Sequence, residues 1–255
     1  MNFQDTQLIG VLARAESTVS SLSSLLGGLV EKFAARGYSL YLVGGSVRDA
    51  LLGRLGNDLD FTTPARPEVV KEILDEWAET VWDTGIDFGT VSAAYKGQQI
   101  EITTFRSDSY DGQSRNPEVV YGDTLEGDLV RRDFKANAMA IELLADASFK
   151  FHDPLHGLQD VADRVLDTPD KPEISFHDDP LRMLRAARFA SQLEFRVADR
   201  VVDAMRDMAG EIQRITVERV QVELDKLICG TAPWDGIDLL VSTGIADYIF
   251  PEIPA

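Results

Sequence analysis

The sequence predicts an α+β architecture in which a strand-bearing domain is followed by an all-helical one. Three observations carry this. Short apolar runs with strand character are confined to the part before Pro169 and Pro172, a proline pair that marks a domain boundary. Within that part, GTVSAAY, a Lys96-Gly97 turn and QQIEITTF read as a β-hairpin. From Ile174 onward no convincing strand appears. PLRMLRAARFASQL, DRVVDAMRDMA, VERVQVELDKLI and WDGIDLLVSTGI all fit helical periods. The expected organisation is a segment over residues 1–16, a catalytic-type domain over 17–170 and a helical domain over 171–255.

Residues 1–16 carry little signal and read as a loosely attached segment. Over residues 17–36, Val19, Leu22, Leu25, Leu26, Leu29, Val30 and Phe33 follow helical spacing, and Gly37 supplies the stop. The stretch LYLVGGSVRDALLGRLGNDLDFT follows. Its apolar run ends at Gly44 and Gly45, which fits a buried strand whose turn lets backbone amides approach an anion, with a helix start adding its positive end. A lone Gly-Gly-Ser is more often an ordinary strand-to-helix turn. Asp58 and Asp60 stand at i and i+2, so on a strand both carboxylates share a face while Leu59 and Phe61 take the other. Paired carboxylates suggest a metal.

Pro67 suits a first helical turn, and Val69, Val70, Ile73, Leu74 and Trp77 continue an apolar helical face that should cover a sheet. Val81 begins a second set of strands. On the return strand of the hairpin, Glu101 lies between Ile100 and Ile102 and points away from the apolar side, toward Asp58 and Asp60 if the strands are neighbours. Residues 106–123 are polar, contain Gly112, Pro117 and Gly122, and read as a long surface loop. LVRRDFKANAMAIEL then places Arg131, Arg132 and Asp133 before an apolar segment, read as a helix N-terminus whose arginines invite an anion; a surface ion pair is the other reading. FHDPLHGLQDVADRVLDT contains a turn, a short helix and a strand.

With 255 residues and 44% hydrophobic content the chain can bury real cores. The net charge of −18 argues against broad nonspecific nucleic-acid binding, because phosphate neutralisation needs clustered Lys and Arg. Any RNA site must be local. Arg182, Arg185 and Arg188 recur every third residue and would share a helix face, which without other motifs is most often salt-bridged. A single cysteine, Cys229, excludes an internal disulfide, fits a reducing compartment and reads as a small buried apolar residue. His152, His156 and His177 lack metal-ligand spacing. No apolar run approaches the roughly 20 residues that span a bilayer, so the expectation is a soluble cytoplasmic protein.

GGSVRDALLG, DLDF, FGT, EITTFR, RRDFKANAMA, DPLHGLQD, DDPLRMLRAARF and ERVQVEL, taken together and in this order, resemble the tRNA nucleotidyltransferase and bacterial poly(A) polymerase family, class II of the DNA polymerase beta-like nucleotidyltransferase superfamily. The resemblance runs from about Leu40 to Cys229. It implies a nucleotidyltransferase head with a short mixed sheet and flanking helices, followed by a helical neck. It implies that Asp58, Asp60 and Glu101 are the catalytic carboxylates holding two Mg²⁺ ions, and that Gly44, Gly45, Ser46 and Arg48 form the triphosphate-binding turn. Arg132, Asp133 and Asn137 match the nucleotide-positioning motif, with the aspartate at a ribose hydroxyl. Asp179 and Arg182 match the pair that reads the incoming base, and Arg185 and Arg188 would add nucleotide or phosphate contacts.

The activity implied is template-independent addition of CMP and AMP, from CTP and ATP, to the 3′ end of tRNA. Poly(A) polymerase, CC-only or A-only addition stand as alternatives within the class. FGTVSA favours CCA addition, since the related polymerases tend to carry arginine-rich residues there. Outside the class, a catalytically silent nucleotide- or RNA-binding protein is the rival. Three positions depart from the family pattern: Lys135-Ala136 replaces Thr-Ile, and Asp178 stands where Glu is usual. Relatives continue past the point where this sequence ends at FPEIPA, so the expectation is a head-and-neck fragment that binds tRNA weakly. Oligomeric state is left open.

Overall fold

The computed structural model describes residues 3–107 and 120–250, which divide into two units. One runs through Arg132 and resumes at Asn137–Gln159; the other comprises Asp133–Ala136 and the chain from Asp160 onward.

The first unit is a mixed seven-stranded sheet with helices. In chain order its elements are α1 (Phe3–Ala35), β1 (Leu40–Val43), α2 (Gly44–Leu51), β2 (Asp58–Thr63), α3 (Pro67–Asp75), β3 (Thr80–Trp82), β4 (Thr90–Tyr95), β5 (Gln98–Thr104), β6 (Arg106–Ser107), β7 (Val120–Tyr121), α4 (Leu125–Val130), β8 (Ala140–Leu143) and β9 (Phe149–His152); α5 (Gly157–Asp163) crosses into the second unit. The strand order is β3-β4-β5-β2-β1-β8-β9, with β6 and β7 as a separate pair. Only the β2–β5 pairing of this sheet is parallel, and the others are antiparallel.

Register sorts the side chains. Leu59 pairs with Ile100, Phe61 with Ile102, and Leu42 with both Phe61 and Ile141, so one face of the sheet is a buried apolar layer. Along α1, Val11, Ala15, Val19, Leu22, Leu26, Leu29, Val30 and Phe33 are buried at helical spacing, and α1 packs on α2 and α3. The loose segment expected over residues 1–16 is therefore corrected from Phe3 on. Val11 and Ala15 extend the stripe N-terminally, and Arg14 Nε donates to the Leu51 carbonyl at 3.2 Å. Leu12, apolar but exposed beside Val11, blurs this part of the stripe. The hairpin forms as expected, with Lys96 and Gly97 at φ 47 and 78 in the left-handed turn that suits strand twist. Of the loop expected over residues 106–123, both ends pair as β6 and β7, while residues 108–119 lie outside the described residues.

The second unit holds β10 (Val165–Leu166), α6 (Pro172–Asp178), α7 (Leu181–Leu193), β11 (Arg196–Val197), α8 (Asp199–Asp207), α9 (Val217–Ile228), α10 (Pro233–Ser242) and α11 (Ala246–Ile249). β10 is the strand expected in FHDPLHGLQDVADRVLDT; within 171–255 the helical expectation holds apart from β11, which pairs with β10 in parallel over two residues, too few for a periodicity signal. This pairing also moves the boundary from the prolines to residues 159/160, since β10 and Asp167, which pairs with Arg200 at 2.7 Å, belong with the helices. Phe134 joins them through an edge contact with Phe189, ring centroids 5.8 Å apart. Cys229, expected in the core, is exposed at the end of α9.

Helices α7, α9 and α10 meet closely at Gly236. A Cβ there would lie 2.6 Å from the Ala187 carbonyl oxygen and 2.9 Å from Leu227 Cγ. Gly236→Ala gains up to ~1 kcal/mol of helix propensity but forces two helices apart, for an expected net loss of about 1–2 kcal/mol. Urea unfolding followed by circular dichroism checks this, and a midpoint at or above that of the unmodified chain would contradict the tight packing.

Candidate functional site

In the first unit the opposite face of the sheet is polar. Asp58 and Asp60 are exposed while Leu59 and Phe61 between and after them are buried. Asp60 and Glu101 are register partners across the parallel β2–β5 pair, so the carboxylates of neighbouring strands share this face. Sequence spacing anticipated both facts. The Asp60 carboxyl is pushed above the ordinary aspartate range, first by lost hydration and then by Glu101 and Asp58, against the opposing pull of Arg132 and Arg48. The residue is open to solvent overall, yet its carboxyl is crowded on its inner side.

Next to these carboxylates β1 ends in Gly44, with φ +67. A Cβ at Gly44 would lie 2.9 Å from Arg132 Nη1 and 4.0 Å from Asp60 Oδ2. Glycine thus satisfies the left-handed turn and lets the backbone come up against both groups. No side chain caps the N-terminus of α2. Ser46 Oγ accepts from the Asp60 amide at 3.0 Å, tying the turn to the carboxylate strand. Arg48, expected to face an anion with Gly44, Gly45 and Ser46, is buried; its Nη1 donates to Asn137 Oδ1 at 2.6 Å, and its Nε and Nη2 donate to Asp49 at 3.0 and 2.9 Å. Arg48 and Asn137, assigned to separate motifs, are brought together and brace the turn.

Arg131 and Arg132 do not open a helix. They follow the last residue of α4, where positive charge is favourable to the helix end, so that expectation is corrected. What fixes them is Asp128, 1% exposed, which accepts from Arg131 Nη2 at 3.1 Å and Arg132 Nη2 at 3.0 Å. Asp128 was missed in the sequence, although its spacing of three and four residues from two arginines is a readable ion-pair signal.

The carboxylates supply hard oxygen donors suited to a magnesium-sized cation. Among the described residues no group of three or more His, Cys, Asp or Glu side chains stands ready to enclose a metal. Asp58, Asp60 and Glu101, expected to hold metal together, do not form such a group in this structure.

In the second unit Asp133 is buried, its Oδ1 accepting from the Phe134 amide at 2.8 Å and its Oδ2 from Arg185 Nε at 2.8 Å. Asp179 precedes α7, accepting from the Leu181 amide at 3.1 Å and from Arg219 Nη2 at 3.0 Å. Arg182 Nη1 donates to Ser175 Oγ at 2.8 Å. The arginine stripe of α7 divides. Arg188 is buried, 3.2 Å from Glu223 and with its guanidinium 4.2 Å from the Phe189 ring centre, and Arg185 lies 3.7 Å from the same glutamate. Glu223 and Arg219, both on α9, are the second pair that sequence reading missed, since their partners are about 40 residues away. His152 packs edge-on against Tyr41 and lies 3.4 Å from Glu142, an ordinary packing role.

Residues 40–167 match the family described as the poly A polymerase head domain, and residues 194–255 the one described as the probable RNA and SrmB-binding site of polymerase A. The chain is 40% identical over 222 residues to the CCA-adding enzyme of Listeria innocua serovar 6a, covering 87% of this chain and 54% of that one. It is 43% identical over 213 residues to the CCA-adding enzyme of Levilactobacillus brevis, covering 83% and 52%. The Bacillus stearothermophilus CCA-adding enzyme crystallised in complex with CTP superposes with a TM-score of 0.77 at 36% identity, over 89% of this chain and 53% of that one. The chain spans about half the length of the curated relatives it matches.

Burial alone would raise the Asp128 carboxyl, but Arg132 and Arg131 outweigh it and hold it below the ordinary range. A folded pKa below the unfolded value means the stabilisation is complete above the unfolded pKa and is lost as pH falls through the folded one. Asp128→Asn is expected to cost about 1–3 kcal/mol near neutral pH and progressively less at acidic pH, as the carboxyl of the unmodified chain takes up its own proton. Denaturation midpoints at the two pH values check this; an equal loss at both would remove the ionic role.

Proposed function

This chain belongs to the poly A polymerase head-domain family, and from that premise we propose that it adds CMP and AMP, from CTP and ATP, to the 3′ end of tRNA without a template. The observation that carries the reading is the register of Asp60 against Glu101, with Asp58 on the same face and the uncapped glycine turn alongside. The family's 3′-end chemistry uses such a face. The RNA 3′-oxygen attacks the α-phosphorus of the nucleotide, a new P–O bond forms, and the bond to the β-phosphate oxygen breaks to release pyrophosphate.

Two Mg²⁺ ions held by Asp58, Asp60 and Glu101 would lower the pKa of the 3′-hydroxyl and neutralise the triphosphate. Gly44, Gly45 and Ser46 present free helix-start amides to the triphosphate, and Arg132, pressed against Gly44, adds a positive charge fixed by Asp128. Arg48 and Asn137 act by holding that turn. In the second unit Asp133, oriented by Arg185, accepts a ribose hydroxyl and favours ribonucleotides. Asp179 and Arg182 read the base: a carboxylate accepts an exocyclic amine, which C and A both carry, and a guanidinium donates to a ring nitrogen or carbonyl. Arg185 and Arg188 serve this surface through Asp133 and Glu223. No helix among the described residues is long and apolar enough to cross a membrane, and a cytoplasmic setting, where tRNA is matured, suits the reading.

A gel of products from tRNA lacking CCA, given CTP, ATP or both, tests this directly. The expected product is CCA; a ladder of many A residues would replace it with poly(A) synthesis, and CC or A alone with the partial activities. Asp58→Ala is expected to lower incorporation by about 10³-fold or more with an unchanged melting curve, since metal-held charge supplies several kcal/mol. Mg²⁺-independent binding of nucleotide with no incorporation by the unmodified chain would favour a silent binder. Asp179→Ala should relax discrimination among the four nucleotides more than it lowers the response to Mg²⁺. Uniform loss for all four would remove its base-reading role.

A further inference from the structure

Resting on that reading, we propose that Trp82 is a stacking platform for a base of the RNA strand, a few nucleotides behind the 3′ end that reacts. Register places it there. Trp82 pairs with Ser92, Ser92 with Glu101 and Glu101 with Asp60, so all four side chains share the polar face in one row across β3, β4, β5 and β2. Trp82 is 43% exposed, on the edge strand of the sheet. The row thus runs from two carboxylates through a serine to a large indole that is open to solvent at the sheet edge.

The direction of the row identifies the occupant. The glycine turn follows β1, on the side of β2 away from β5, and Gly44 approaches Asp60 from there. Attacking and leaving oxygens lie roughly in line across the reacting phosphorus. With the triphosphate on the Gly44 side, the RNA 3′-oxygen comes in from the Glu101 side, and its strand trails over Ser92 toward Trp82. Three strand spacings of ~4.8 Å put Trp82 about 14 Å from Asp60, roughly four stacked nucleotide steps of ~3.4 Å. The adjoining Asp83 and Asp87 are exposed, and Lys71, 3.8 Å from Asp83 and 3.2 Å from Asp75, is already shared between two acids, so this corner offers phosphate little and favours the uncharged face of a base.

The test is anisotropy of a 5′-fluorescein RNA hairpin ending in a four-nucleotide 3′ single strand, alongside an identical hairpin with abasic sites in that strand. Trp82→Ala is expected to weaken binding of the intact hairpin by about 5- to 100-fold, and Trp82→Phe to retain most of it. The abasic hairpin should bind the unmodified chain as weakly as the intact hairpin binds Trp82→Ala, with no further loss when both changes are combined. KM for CTP should be unchanged. Equal affinity of the unmodified chain for the two hairpins, or a raised KM for CTP with RNA binding intact, would overturn the assignment. The readout is separate from catalysis. Trp82-dependent binding without incorporation sustains the platform while the transferase reading fails, and normal incorporation with Trp82-independent binding does the reverse.

Discussion

Two carboxylates held side by side by a parallel register, Asp60 against Glu101, set the terms for the rest of the first unit. Backbone hydrogen bonding forces the juxtaposition; lost hydration and then the neighbouring Glu101 charge oppose it, and both push the Asp60 carboxyl up. A sheet tolerates such a pair only if the opposite face supplies the stability and positive charge lies within reach. The apolar layer of Leu42, Leu59, Phe61, Ile100 and Ile102 meets the first requirement, and its burial is worth roughly 1.5–3 kcal/mol per side chain. Arg132 meets the second.

How Arg132 is delivered explains several features that look unrelated in sequence. Its guanidinium sits against Gly44 because that residue has no Cβ, and it is aimed by Asp128 one helical turn earlier. A buried carboxylate beneath two arginines is costly unless both stay in place, because removing either partner leaves an under-compensated charge. Glu223 stands to Arg185 and Arg188 in the second unit as Asp128 stands to Arg131 and Arg132 in the first. In each unit a buried acid converts mobile arginines into fixed ones. Fixed charge is what transition-state stabilisation requires, since it costs no reorganisation when phosphate charge develops.

This division also decides what the sequence could tell. Asp58, Asp60 and Glu101 were legible because a strand's two-residue period is local and each acid is flanked by apolar residues. The glycine turn was legible because φ > 0 and close approach both ask for the same residue. Arg48 with Asn137, Arg185 with Asp133 and Arg219 with Asp179 were not, since each joins residues 40 or more apart whose pairing only the fold can create. Residues 131 and 132 were assigned to the wrong end of a helix because LEGDLV is too short to show a period. β11 escaped for the same reason. Residues 3–16 failed differently: Val11 and Ala15 continue the stripe at four-residue spacing, but the apolar Leu12 beside them is exposed, which blurs the period.

A net charge of −18 remains to be reconciled with the RNA end proposed as substrate. Binding by counterion release grows with the number of phosphates neutralised, and a chain this acidic can neutralise few. The basic groups in the described motifs are committed to internal acids, as Arg48, Arg131, Arg185 and Arg188 show. Affinity at the reacting end must then come from terms indifferent to net charge: divalent cations recruited by the carboxylates themselves, and the faces of bases. On this account the acidity of the polar face is part of its selectivity. Under the proposed function it would resist polyanions until metal is bound, and would reward a strand that brings a 3′ end and an unpaired base together over one that offers phosphate alone.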